Sequence, residues 1–167
     1  AFPGNTREGL AQWVEPTKTA CERWGIDTIR EVASFLANIN IESAGLTRLT
    51  ENLNYSTDAI IKLFGRHRIS IADAQKYGRN ASHPANQEML ANILYGGEWG
   101  RENLGNIKPN DGWVCRGYGP KQITGRDNQT KFGIAVGKTL EEAQTYMRTP
   151  EGGMSAAGWY WKSHNLD

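Results

Sequence analysis

Two glutamates, Glu42 and Glu51, lie nine positions apart, and a pair of carboxyls in unlike surroundings is the minimum equipment for cleaving a glycosidic bond. One carboxyl must stay protonated near neutral pH to donate to the leaving oxygen, while the other stays ionised to activate a water or attack the sugar. The spacing suggests how the two roles divide. Glu42 falls in the last turn of an amphipathic helix, beside Phe35 and Ile39 at roughly 100° per residue. Lost solvation and the negative end of the helix dipole would both favour the protonated acid there. Glu51 follows Thr50 and opens the polar string Glu51–Ser56, ENLNYS, whose amides and hydroxyls can solvate a carboxylate. Glu42 is therefore the candidate acid and Glu51 the candidate base; the plain alternative is two surface charges flanking a turn.

Three strings together weigh against that alternative. IES at Ile41–Ser43, ENLNYS, and RGYGPKQITGRDN at Arg116–Asn128 resemble, in order and approximate spacing, the family-19 glycoside hydrolases, which include plant-type chitinases and many phage endolysins. The likeness runs from about Phe35 to Phe132, and three separated strings must match at once. The resemblance implies that Glu42 is the general acid and Glu51 the general base of a single-displacement, inverting reaction. It places the hydroxyl that helps hold the attacking water on Thr124, and substrate-contacting amides on Gln122 and Asn128. Tyr55, Trp113 and Tyr118 join them as candidate sugar contacts, Trp113 because it sits in a glycine-rich stretch leading into RGYG. The chain departs from the pattern at Ile41, where relatives usually carry His, and at Tyr118, where they usually carry Arg. Endolysin-like relatives also continue into an Asn-Gly-Gly segment and an Arg beyond the point where this chain ends, so a truncated domain or a differently built wall of the site is expected.

Helices must position these groups. Asp27 can cap the acid-bearing helix, in which Ile29, Val32, Ala33, Leu36 and Ile39 recur at three- and four-residue steps, with Gly45 as its stop. Before it, Gly9 to Trp24 reads as a helix disturbed by Pro16. After it come short helices at Thr57–Phe64, capped by Thr57 and stopped by Gly65, and at Ser70–Tyr77, stopped by Gly78. Pro84 to Tyr95 carries an apolar side. From Gly96 to Gly119 the glycines crowd, and a loop or small irregular hairpin lining a cleft is expected. Thr139–Arg148 and Glu151–Ser163 are the last helices. The alternation of a substantial sheet is absent. The expectation is a mainly α, lysozyme-like fold, forming one catalytic domain over residues 1–167.

Composition sets the bounds. The 167 residues carry 19 basic and 18 acidic side chains for a net charge of +1, which provides no basic field for nucleic acid. No apolar run approaches the roughly 18 residues of a membrane span, and no charged-then-apolar leader is visible. A stable membrane association is therefore not expected, and storage in the host cytoplasm before release to the wall is. Cys21 and Cys115 are the only cysteines; free thiols suit a protein made in the cytoplasm. His67, His83 and His164 lack the spacing of zinc ligands. No cofactor or metal is implied, and a monomer is expected. Arg66-His67-Arg68 could meet anionic wall polymers but reads first as a solvated loop. Gly117 and Gly119 flank Tyr118 without a preceding strand, so a nucleotide loop is a poor reading; glycines there let backbone approach substrate.

These readings converge on a glycosidase acting on β-1,4-linked N-acetylated amino sugars. Bacterial peptidoglycan is the expected substrate, because the chain lacks the many cysteines of secreted plant-type chitinases. Chitin oligomers, a lytic transglycosylase and a non-catalytic sugar-binding module are the alternatives.

Overall fold

Seven of the described helices begin where a short polar side chain takes up a backbone N–H that the first turn leaves without a partner. In the computed structural model, which describes residues 2–166, Thr6, Thr28, Ser56 and Ser70 cap α1 (Arg7–Trp24), α2 (Ile29–Glu42), α3 (Thr57–Leu63) and α4 (Ile71–Tyr77). Asn86 caps α5 (Gln87–Leu94), and α6 (Gly97–Leu104), α7 (Asp111–Val114) and α8 (Arg126–Val136) follow. Thr139 opens α9 (Leu140–Tyr146) with a full capping box to Glu142, and Thr149 opens α10 (Pro150–Ser163). Among the described residues β pairing is limited to three isolated bridges, so the class is mainly α, as expected. None of the described helices is long and apolar enough to cross a membrane.

Several boundaries differ from the sequence reading. The cap of α2 is Thr28 and not Asp27, that of α3 is Ser56 and not Thr57, and α5 starts at Gln87 and not Pro84. α1 runs unbroken through Pro16, which is buried within it. The stretch expected to be loop contains α6 and α7, and only the segments beside them are irregular. α8 carries no periodic signal strong enough to announce it. Gly100 inside α6 is a packing residue, since a Cβ there would lie 2.0 Å from the Tyr95 carbonyl.

The chain divides into two compact units. The first gathers the chain up to Glu51, Gly117–Thr124 and the chain from Asn128 onward. Here α1 packs along α10. Close approach is possible because α10 is built of Gly152, Gly153, Ser155, Ala156, Ala157 and Gly158; a Cβ on Gly158 would stand 2.7 Å from Trp24. Phe35 and Ile39 of α2 join Met154 and Trp161 in the core, with Phe35 edge-on to Trp161 at 5.6 Å. Each such large side chain contributes about 1.5–3 kcal/mol by leaving water. A second cluster, Tyr118, Ile123, Phe132, Met147 and Ala156, fills the space among α8, α9 and α10.

The second unit comprises Asn52–Arg116 with Gly125–Asp127. Its core is Leu53, Ile60, Ile69, Leu90 and Leu94. Asp111 organises its irregular part. The buried Asp111 carboxylate accepts from the backbone N–H of Ile107 at 2.9 Å and of Lys108 at 2.8 Å, and from Arg126 Nε and Nη2 at 2.7 and 2.6 Å. Burial pushes this carboxyl up, but the Arg126 guanidinium and the two N–H donors outweigh it and hold Asp111 below the usual carboxylate range.

Candidate active site

Glu42 is the last residue of α2, and the chain turns sharply after it. The hub is Ser43, fully buried, whose Oγ donates to the Ile39 carbonyl at 2.6 Å and accepts from the Leu46 N–H at 2.8 Å. Its own carbonyl accepts from the N–H groups of Thr47 and Arg48 at 3.1 and 2.8 Å. Ala44, Gly45 and Leu46 then run in the left-handed region, with φ of 50°, 73° and 67°. Ala44 and Leu46 each bear a cost of about 1–2 kcal/mol for that conformation. Gly45 is there for a second reason. Its carbonyl accepts from Asn5 Nδ2 at 2.9 Å, and a Cβ on it would lie 2.5 Å from the Pro3 carbonyl oxygen.

Beyond the turn, Leu49–Glu51 lies against Gly117–Gly119. The Gly119 N–H donates to Leu49, Thr50 bridges Tyr118, and the Glu51 N–H donates to the Gly117 carbonyl at 2.8 Å. The Gly117 N–H returns to the Glu51 side chain, donating to Oε2 at 3.0 Å. Tyr118 in turn pairs with Ile123, which brings Gln122 and Thr124 round beside the same glycine. A Cβ on Gly117 would meet Gln122 Oε1 at 3.0 Å, Thr124 Oγ1 at 3.2 Å and Glu51 Cβ at 3.4 Å. Three sequence-predicted site residues thus converge on one backbone position.

The Thr124 hydroxyl donates to the Gln122 carbonyl at 3.1 Å, leaving its lone pairs to accept. Gln122 is held at φ 57° with its amide donating to the Gly119 carbonyl at 2.9 Å, so its side chain is fixed at the expense of a left-handed backbone. Asn128, in the first turns of α8, reaches back to the Thr124 carbonyl at 3.4 Å.

Glu42 sits in surroundings unlike those expected. Its side chain is 40% exposed, and the preceding Ile41 is 79% exposed. Phe35, two turns earlier on the same side, is sealed by Trp161, but by the end of α2 the helix has passed the packed core. What faces Glu42 is a cation: Lys121 Nζ lies 3.7 Å from Oε1 and donates to Asn38 Oδ1 at 2.7 Å. The sequence reading missed Lys121, Asn38 and the Gly117 N–H. Asn38 stands one helical turn before Glu42, which was a usable signal; Lys121 is 83 residues away from Asn38 in the chain, and no local pattern joins them.

The remaining candidates are placed differently. The Tyr118 ring is only 5% exposed, packed in the core with the Arg148 guanidinium 5.1 Å from its centre. The structure thus places the Tyr118 ring in the core, where the sequence suggests a sugar contact, and its backbone pairs with Thr50 and Ile123 beside Glu51. Tyr55 and Trp113 belong to the second unit. Tyr55 packs edge-on to Phe64 at 5.7 Å. Trp113 is half-buried under the Arg116 guanidinium at 3.6 Å, and lines an open groove of about 660 Å³ with Tyr77, His83 and Asn86. The basic cluster is engaged internally: Arg66 donates to the carbonyls of Ile61 and Phe64, and Arg68 donates to that of Leu94 while stacking on Trp99 at 3.3 Å. Cys21 and Cys115 are not joined in a disulfide, and burial pushes the Cys21 thiol up. Among the described residues no group of three His, Cys, Asp or Glu could hold a metal ion.

No family model matches the chain. A protein of Haemophilus influenzae described as a glycosyl hydrolase family 19 domain-containing protein is 34% identical over 145 residues, covering 87% of this chain and 68% of the relative. That span takes in the end of α2, the turn after it and the paired segments around Gly117. On that likeness, carried along most of its length, the chain belongs to glycosyl hydrolase family 19 and is a glycoside hydrolase.

Proposed function

We propose that the enzyme hydrolyses β-1,4 bonds between N-acetylated amino sugars of bacterial peptidoglycan by a single displacement with inversion. Glu42 donates a proton to the departing glycosidic oxygen, and Glu51 takes one from the attacking water. The observation that carries this reading is the convergence of Glu51, Gln122 and Thr124 on Gly117. With its hydrogen directed to the Gln122 carbonyl, the Thr124 hydroxyl offers a lone pair to a water that gives its other hydrogen to Glu51. The water's own lone pair is then left to face the sugar. Gln122 and Asn128 bind the substrate's polar groups beside it. The Gly117 N–H keeps one Glu51 oxygen fixed, so the base need not reorganise as the water is deprotonated. The absence of a dense cysteine framework favours a wall lysin of the phage type over a secreted chitinase. On this reading the enzyme acts as a monomer, without a cofactor.

Mass spectrometry of digests of purified peptidoglycan and of N-acetylchito-oligosaccharides tests the proposal, with proton NMR of fresh product. Muropeptides that have gained water, with the α-anomer formed first, are expected. Cleavage of chitin oligomers alone would move the substrate to chitin. Anhydro products would make the enzyme a lytic transglycosylase, a β-anomer formed first would mean retention, and binding without cleavage would leave a sugar-binding module.

A further inference from the structure

Lys121 is an unusual residue in an unusual place. Its side chain is 11% exposed, although the partner it faces, Glu42, is 40% exposed and 3.7 Å away. A long, half-exposed ion pair contributes little to stability, whereas withdrawing an ammonium from water is costly. Stability therefore does not account for it. The mount is rigid: Lys121 lies between Pro120, which packs against Gly153, and Gln122, whose backbone is held at φ 57°. Asn38 Oδ1 accepts from the ammonium at 2.7 Å, and the Tyr160 ring lies 5.4 Å from it. Asn38 and Glu42 are one turn apart on α2, so the same helix face presents the acceptor that anchors the cation and the carboxyl that the cation faces.

We infer that Lys121 is a positioning residue that acts through Glu42, stabilising the negative charge that develops on this carboxyl as its proton passes to the leaving oxygen. This rests on the assignment of Glu42 as the acid. In the ground state of that reaction Glu42 is neutral and gains little from the ammonium. As the C–O bond breaks, the O–H bond of Glu42 breaks with it, the proton moves to the departing sugar hydroxyl and the electron pair stays on Glu42. A fixed cation 3.7 Å from Oε1 then interacts more strongly with the transition state than with the substrate complex, which is the condition for raising kcat. Lys121 needs no contact with substrate to do this. Asn38 keeps the ammonium in place while the charge on its neighbour changes.

The test is the dependence on leaving group. Lys121→Met should lower kcat on N-acetylchito-oligosaccharides and on peptidoglycan by about tenfold to a hundredfold, with KM changed less than about threefold and the thermal midpoint unmoved. Lys121→Arg should recover much of the loss, and Asn38→Ala should show a smaller one. Aryl glycosides of the same oligosaccharide, with 4-nitrophenol or 2,4-dinitrophenol as leaving group, depart with little or no protonation. On these, the defect of Lys121→Met should shrink in step with that of Glu42→Gln. An equal loss of kcat on sugar and dinitrophenyl leaving groups would overturn the inference and make Lys121 structural. A loss confined to KM would make it a substrate contact. Full activity of Glu42→Gln on the natural polymer would instead overturn the acid assignment itself, and an inactive Glu42→Gln beside a fully active Lys121→Met would sink this inference alone.

Discussion

Two carboxylate–cation pairs, one in each unit, are built on opposite plans. In the second unit Asp111 is nearly inaccessible, bound in a two-pronged fashion by Arg126 and by two backbone N–H groups, every bond at or below 2.9 Å. In the first unit Glu42 is half-exposed, and its cation stands off at 3.7 Å while leaning on Asn38. The first arrangement uses the full capacity of its carboxylate and leaves nothing for a ligand. The second leaves Glu42 oxygens open to solvent beside a fixed positive charge. Saturation marks a carboxylate that holds the fold, whereas an incomplete shell leaves carboxylate oxygens open to a ligand.

The sharpest way to break this comparison is Glu42→Gln. Gln keeps the shape and loses the transferable proton, so kcat should fall by about a thousandfold or more, within the range general acids supply, while circular dichroism and the thermal midpoint stay at wild type. A folded, fully active variant would remove Glu42 from the chemistry.

Asp111→Asn should do the reverse. Leaving Arg126 without its carboxylate should destabilise the protein by about 3 kcal/mol at neutral pH, read by denaturant unfolding. Because Asp111 is depressed in the folded state, its contribution is fully present above the unfolded carboxylate value of about 3.9 and is lost as pH falls through the lower folded value. The gap between variant and wild type should therefore be constant from about pH 6 to 8 and close in acid below about pH 4. A gap that widened in acid would contradict the pairing.

Smaller effects probe the base. Thr124→Val should lower kcat about tenfold to a hundredfold with little change in KM, as expected for the loss of one positioned hydrogen bond; a rise in KM at constant kcat would make Thr124 a binding residue. Gly117→Ala should cost about tenfold in kcat. Gly117 has no left-handed backbone to strain, so the effect comes from the added methyl alone, 3.0–3.4 Å from Gln122, Thr124 and Glu51. Unchanged turnover would show that those side chains yield without consequence.

Much of this helical frame could be read from caps and periodicity, because both are local. Ser70 before α4 and Thr139 before α9 announce their helices through the backbone N–H groups they satisfy. Pro16 misled because packing of α1 on α10 offsets the roughly 3 kcal/mol that proline costs a helix interior. Gly97 and Gly100 misled in α6 because the reading took glycine as a loop signal, whereas Gly100 is required by close contact with Tyr95. At the candidate site, the ENLNYS and RGYGPKQITGRDN strings drew attention to Glu51, Gln122 and Thr124 before any geometry was known. One donor to Glu51 comes from Gly117, whose contribution is a backbone N–H and leaves no trace in residue type. Lys121 was invisible for a different reason: its meaning depends on where α2 ends in space.

The left-handed turn at Ala44–Leu46 ties the site to a distant part of the chain. Asn5 and Pro3 clasp Gly45 from outside, so the first few described residues brace the short connection between Glu42 and Glu51. Proteolytic nicking before Thr6, or a fusion partner that pulls on Pro3, should thus slacken the turn at a distance, and would also loosen Phe2 from the core cluster it packs against.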